Sequence, residues 1–154
     1  MTQFDEIIAN RRSIRHLMFA ISVSSFLMAQ NTTVYRDNLG RKTGTATKDS
    51  RGVTTYRDEL GRKTGTSEKK THGKTIYRDA LGRKTGTATT DRRGITTYRD
   101  RLGHKKGTSE TNSRGVTTYR DNLGRKKGTA QTKSNGTTTY RDNIGRNRGS
   151  STKR

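Results

Sequence analysis

The chain has no cysteine and no proline in 154 residues. Without cysteine there can be no disulfide, no thiolate metal site and no lipid attached through a thiol. Without proline, nothing in the chain forbids a continuous ladder of backbone hydrogen bonds. Apolar residues are scarce, at 24%, against 31% charged residues. That balance leans towards disorder, because little apolar surface is available to offset chain entropy. Acidic residues are scarce too: 13, against 34 lysines and arginines, for a formal net charge of +21. No apolar run reaches the roughly 20 residues of a membrane-spanning helix.

What is present is repetition. The phrase Tyr-Arg-Asp-x-Leu-Gly occurs six times, with Ile144 in place of leucine in the last copy. Its tyrosines are Tyr35, Tyr56, Tyr77, Tyr98, Tyr119 and Tyr140, spaced by 21 residues. A fixed period of this size marks one small unit packed on copies of itself. Because the few apolar residues recur in register, the sequence predicts an ordered β-repeat in spite of its composition.

Residues 1–29 do not share the repeat. Arg11, Arg12, Arg15 and His16 precede an apolar run from Leu17 to Met28, and Ala29 closes it. A basic region, a short apolar region and a small residue describe a secretory signal peptide, cleaved after Ala29. The alternative is an amphipathic helix that stays attached. The expected organisation is a signal peptide over 1–29 and a tandem β-repeat domain over 30–154. An exported protein, periplasmic or extracellular, follows from that reading. Only three basic residues lie in 1–29, so the positive charge belongs to the repeats.

Within a copy, Val53 to Arg57 is rich in β-branched and aromatic residues and predicts a strand. Asp58-Glu59-Leu60-Gly61 predicts a turn, with the aspartate bonding backbone ahead of it and the glycine taking positive φ. Arg62 to Ser67 predicts the return strand. A polar turn ending in Gly52, Gly73, Gly94, Gly115 or Gly136 leads to the next copy. Asn135-Gly136 is the plainest hairpin signal among them. Twelve short strands follow, and no helix is expected in the repeats.

Stacked as a β-solenoid, the copies would sit about 4.8 Å apart; as a meander of hairpins, about 9.6 Å. Like charges in water cost about 0.9 kcal/mol at the first distance and about 0.4 at the second. The several basic positions per copy therefore favour a meander, curved or closed into a ring or barrel so that no edge is left open. Tyrosine and leucine ladders favour the solenoid, which stands as the alternative. The expected core is the six tyrosines, Leu39, Leu60, Leu81, Leu102, Leu123 and Ile144, with Val53, Ile76, Ile95 and Val116. The strand pattern does not say which face is buried.

Pairing across the turn carries the main functional signal. A bulged turn sets Arg57 opposite Lys63 and Tyr56 opposite Thr64; a two-residue turn sets Arg57 opposite Arg62. Either register opposes two cations, which is destabilising unless an anion or water separates them. The candidate anion-binding residues are Arg36, Arg41, Arg57, Arg62, Arg78, Arg83, Arg99, Lys106, Arg120, Arg125, Lys127, Arg141 and Arg148. Lys106, Lys127 and Arg148 replace Thr43, Thr64 and Thr85, so stronger anion contact is expected in the last three copies. The partners implied are anionic glycan, lipopolysaccharide or nucleic acid. The other reading is that the charge keeps a β-repeat soluble.

The repeat resembles two kinds of bacterial sequence. Tyr77-Arg78-Asp79-Ala80-Leu81-Gly82-Arg83 is similar to the YD repeats of Rhs-type surface and toxin proteins, with Arg78 inserted between tyrosine and aspartate. Those proteins build long shells around toxin domains, and this chain is too short to enclose one. The spacing of Tyr56, Asp58, Gly61 and Gly65 also resembles the small exported repeat proteins described as β-flowers, over residues 32–154.

No catalytic arrangement is legible. His16, His72 and His104 are the only histidines, and none has partners at metal-ligand spacing. The six repeated aspartates, Asp37, Asp58, Asp79, Asp100, Asp121 and Asp142, suggest turn formation rather than calcium, since each is flanked by arginine. The glycines match no phosphate-binding loop, since no helix follows them. No cofactor, no metal and no enzymatic reaction is expected. The reading is an exported β-repeat that binds anionic polymers at the cell envelope, or else a structural surface-display module without an anion ligand.

Overall fold

The computed structural model describes residues 32–154. The expected signal peptide lies outside them. Each copy contributes two strands: β1 (Thr32–Asp37) and β2 (Lys42–Lys48), β3 (Val53–Asp58) and β4 (Lys63–Lys69), β5 (Lys74–Asp79) and β6 (Lys84–Thr90), β7 (Thr96–Asp100) and β8 (Lys105–Thr111), β9 (Val116–Asp121) and β10 (Lys126–Thr132), β11 (Thr137–Asp142) and β12 (Asn147–Lys153). All neighbours pair antiparallel, and β12 pairs with β1, so the sheet closes into a barrel. The solenoid is ruled out by this topology.

Closure uses the same register as every junction between copies. Tyr35 stands opposite Ser151 and Asp37 opposite Gly149, just as Tyr56 stands opposite Ala46 and Asp58 opposite Gly44. At the seam the Arg154 N–H donates to the Thr32 carbonyl at 2.8 Å, where a sixth polar turn would otherwise be. Both neighbours of every strand therefore lie within residues 32–154.

Side chains alternate inside and outside along each strand. In the second copy Thr54, Tyr56 and Asp58 point inward with Gly65 and Ser67, while Thr55, Arg57 and Thr66 point outward. Twelve strands about 4.8 Å apart and tilted about 40° close at a diameter of about 24 Å. Tyrosine is long enough to occupy such a space and polar enough at its tip to bond within it. Tyr35 and Tyr56 pack with Ala46, and Tyr77 and Tyr98 pack with Ala88. Burial pushes the Tyr119 hydroxyl well up, helped by Tyr98, Tyr140, Tyr77 and Tyr35, which share its interior.

Three expectations are corrected. Val53, Ile76, Ile95 and Val116 are half-buried rather than core, and Val53, Ile76 and Val116 lie on the strand face opposite the tyrosines. Leu39, Leu60, Leu81, Leu102, Leu123 and Ile144 do not join the core; they are 67–78% exposed. Each sits at the tip of its turn, where its N–H donates to the turn aspartate and its side chain has no sheet to cover. Tyr56 faces Gly65 rather than Thr64, because the β3–β4 register shifts between Tyr56 and Arg57. The bulge takes up Thr64 and brings a glycine against the aromatic ring. That glycine is sterically required: a Cβ at Gly65 would lie 2.5 Å from the Arg78 carbonyl oxygen.

The tyrosines alternate in their partners. Tyr56, Tyr98 and Tyr140 share hydrogen bonds of 2.9, 3.0 and 3.0 Å with Ser67, Ser109 and Ser151. The corresponding place after Tyr35, Tyr77 and Tyr119 is held by Ala46, Ala88 and Ala130. Serine and alanine thus alternate around the lumen, and the barrel is three double copies as well as six single ones.

Candidate functional site: a basic collar at one rim

The six Asp-x-Leu-Gly turns all lie at one rim. In the second copy the Leu60 and Arg62 N–H groups donate to Asp58 Oδ1 at 3.0 and 2.9 Å, and Arg62 Nε donates to Oδ2 at 2.8 Å. Gly61 takes φ +82° and donates its N–H to the Asp58 carbonyl at 3.1 Å. One aspartate therefore satisfies two backbone donors and one guanidinium. The residue type follows: a short carboxylate reaches the backbone two and four residues on, and a neutral asparagine would not hold the arginine.

The same arrangement recurs with Arg41, Arg83, Arg125 and Arg146 on Asp37, Asp79, Asp121 and Asp142. Arg146 was not singled out from sequence; the period alone would have found it. In the fourth copy His104 takes the arginine's place, with Nδ1 3.3 Å from Asp100 Oδ2. Asp142 is fully buried. Burial alone would push its pKa up, but the Arg146 side chain, two backbone N–H groups and the Arg146 charge outweigh it and hold it at about 2. The other five turn aspartates are also held below the ordinary value. All six carboxylates are engaged by the turns they close.

Arg36, Arg57, Arg78, Arg99, Arg120 and Arg141 form a second circle on the outer wall beside these turns. Each Nη1 donates to the carbonyl of the turn glycine, at 2.8–3.1 Å. This clamp, which sequence reasoning missed, is possible because the turn glycine directs its carbonyl back over the strand. Opposite them in the ladder stand Lys42, Lys63, Lys84, Lys105 and Lys126, with Asn147 in the last copy. The like-charge opposition expected from the bulged register is therefore present in five copies. At least three basic residues surround each turn aspartate, and Glu59 is the one further acid within these six turns.

The residues expected to favour the last three copies sit differently. Arg148 Nη2 lies 3.0 Å from Asp142 Oδ2, and Lys106 Nζ lies 3.6 Å from Asp100 Oδ2. Lys127 occupies the equivalent position in the fifth copy. Arg148 and Lys106 reinforce the turn carboxylates, whereas Arg57 and its equivalents stand on the outer wall. Thirteen candidate residues thus resolve into three sets: an outer circle, a turn-pairing circle and three positions at the bulge.

No protein-family pattern and no curated protein matches the chain. Among solved structures it is similar to the crystal structure of BamB from Moraxella catarrhalis, at 12% identity and a TM-score of 0.30. The match covers 71% of this chain and 56% of that one, so the chain spans little more than half its length. A likeness at that score carries no argument about fold or role.

Proposed function

We propose that this is an exported, non-enzymatic β-repeat protein that binds anionic polymers at the cell envelope through the basic collar. The observation that carries the reading is the opposition of Arg36, Arg57, Arg78, Arg99 and Arg120 to lysines on the outer wall. The nearest carboxylates are already committed to turn N–H groups and to other arginines, so they offset little of that repulsion. A phosphate or sulfate group bridging an arginine and the facing lysine would relieve it with charge-assisted hydrogen bonds. The proposal is of binding rather than catalysis because the repeated polar groups serve the fold: aspartates close turns, and tyrosines bond serines in the lumen.

A structural surface-display role is the second reading. It is favoured by the clamp from each outer arginine to its turn glycine, which gives the cations a task without any ligand. Titration of residues 30–154 with inorganic polyphosphate over a salt series separates the two. Binding through the collar predicts a steep linear fall of log affinity with log salt, as several counterions are released. Negligible binding at low salt would leave the surface-display reading.

A further inference from the structure

The six aliphatic side chains displaced from the core form a closed circle. Every Asp-x-Leu-Gly turn joins an odd-numbered strand to the next even one, and the β12–β1 pairing brings the sixth beside the first. All six are exposed, in a chain with few apolar residues. The turn does not demand them. Ten of the eleven turns share one hydrogen-bond pattern, in which the first residue bonds the fifth and the fourth, a glycine, bonds the first. In the four at the other rim, the leucine's place is taken by Arg51, Arg93, Arg114 and Asn135. Nor is the rim uniform by default. The residue just before the leucine varies freely, as Asn38, Glu59, Ala80, Arg101, Asn122 and Asn143. Of the two residues between the turn aspartate and the turn glycine, only the second is aliphatic in all six copies.

We propose that this rim docks on an anionic lipid bilayer, with Leu39, Leu60, Leu81, Leu102, Leu123 and Ile144 entering the headgroup region and the collar meeting lipid phosphates. The proposal rests on the anion-binding reading above and names its partner. A circle of tips at one rim suits a planar partner, and an aliphatic tip flanked by arginine and lysine suits an anionic lipid surface. A second copy docked rim to rim would instead bring two basic collars face to face. The contact proposed is at the rim, because the outer wall beside the collar carries Thr45, Thr66, Thr87, Thr108 and Thr129 rather than the apolar band about 25 Å tall of a spanning barrel.

The test uses residues 30–154, within which the sheet closes and which omit the apolar run at Leu17–Met28. Partitioning is measured onto vesicles of phosphatidylglycerol with phosphatidylcholine, and onto phosphatidylcholine alone, beside titration with polyphosphate. The comparison is the variant with all five leucines and Ile144 changed to glutamine, its fold checked by circular dichroism. The expected result is about a tenfold or greater loss of partitioning onto anionic vesicles, with polyphosphate affinity held within about twofold. Equal vesicle binding by the variant overturns the proposal. Binding of polyphosphate without vesicles sinks the docking alone, and binding of neither sinks the anion-binding reading as well. If sedimentation shows a dimer that the variant abolishes, the rim belongs to a second copy and the proposal fails. Leu81→Trp supplies an independent readout: its emission should shift blue and be quenched by brominated phosphatidylglycerol, and unchanged emission would contradict insertion.

Discussion

The two rims of the barrel are built from the same turn and dressed for different surroundings. At one, aspartate closes all six turns, arginines clamp them and an aliphatic residue stands at each tip. At the other, the closing residue is Asp49, Asp91, Asn112 or Lys133, and the tips carry no apolar side chain. The turn Lys70–Lys74 departs further, with His72 at φ +57°. Backbone geometry therefore accounts for glycine and for a hydrogen-bonding first residue. It does not account for the leucines or for the concentration of paired cations at one end. Those are properties of a surface.

The comparison can be broken most severely through the glycines. A Cβ at Gly86, beside the leucine rim, would fall on the Arg99 carbonyl oxygen, whereas at Gly94, in a turn of the other rim, it meets nothing within 4 Å. Gly86→Ala is expected to cost about 3 kcal/mol or more, from backbone displacement. Gly94→Ala should cost about 1–2 kcal/mol, from φ alone. Urea denaturation of both variants checks the order.

Next come the carboxylates. Asp121→Ala removes the acceptor for two N–H groups and Arg125, and is expected to cost about 2–3 kcal/mol. Asp49→Ala, at an exposed polar turn, should cost about 0.5–1 kcal/mol. Thermal midpoints should rank the two in that order; equal shifts would mean that the rims are energetically alike.

Acid sharpens the same contrast. The leucine-rim aspartates have folded pKa values below their ordinary one, so their stabilisation is complete above that value and is lost as pH falls through the folded one. For Asp142 the window runs from 3.8 down to about 2. Arg146→Gln removes the strongest lowering contact and should move the acid unfolding midpoint upward; an unmoved midpoint would show that the pair is not coupled to folding. At the alkaline end the sign reverses. Tyr98 and Tyr140 are raised by burial, partly offset by their serines, so their stabilisation holds below the ordinary value of 10 and is lost as pH rises through the folded one. Absorbance at the phenolate band should rise together with unfolding rather than before it.

Smaller effects separate lumen from tip. Ser109→Ala removes the hydrogen bond shared with Tyr98 and should cost about 1 kcal/mol. Leu60→Gln should change stability by less than about 0.5 kcal/mol, because its side chain is mostly exposed. A large loss there would return the leucine to a packing role.

Much of the fold was legible because the period is strict. Tyr56, Asp58 and Gly61 declare a strand, a turn start and a positive φ in turn; charge repulsion argued correctly for a meander over a solenoid, and the open edges argued for its closure. The leucines misled because an aliphatic residue at the same place in every copy reads as core by periodicity. The turn predicted over Asp58-Glu59-Leu60-Gly61 already held the leucine, and its exposure shows that the turn, not the period, decides its place. The role of Gly65 and the alternation of Ala46 with Ser67 were hidden for a different reason. Gly65 is required by the Arg78 carbonyl of the next copy, and the tie of Tyr56 to Ser67 needs the bulge that offsets β4 against β3; neither is written in the strand pattern. The collar was half legible: Arg57 opposite Lys63 followed from the bulged register, but the ion pairs of Lys106 and Arg148 needed the depth of the turn aspartates.

The most direct test removes equal charge from each rim. Arg57, Arg99 and Arg120 changed together to glutamine should weaken polyphosphate binding by residues 30–154 about tenfold at low salt and flatten its salt slope. Arg51, Arg93 and Arg114 changed together to glutamine should weaken it by no more than about twofold. Equal losses from the two rims would mean that net charge, not the collar, governs binding, and would contradict the account.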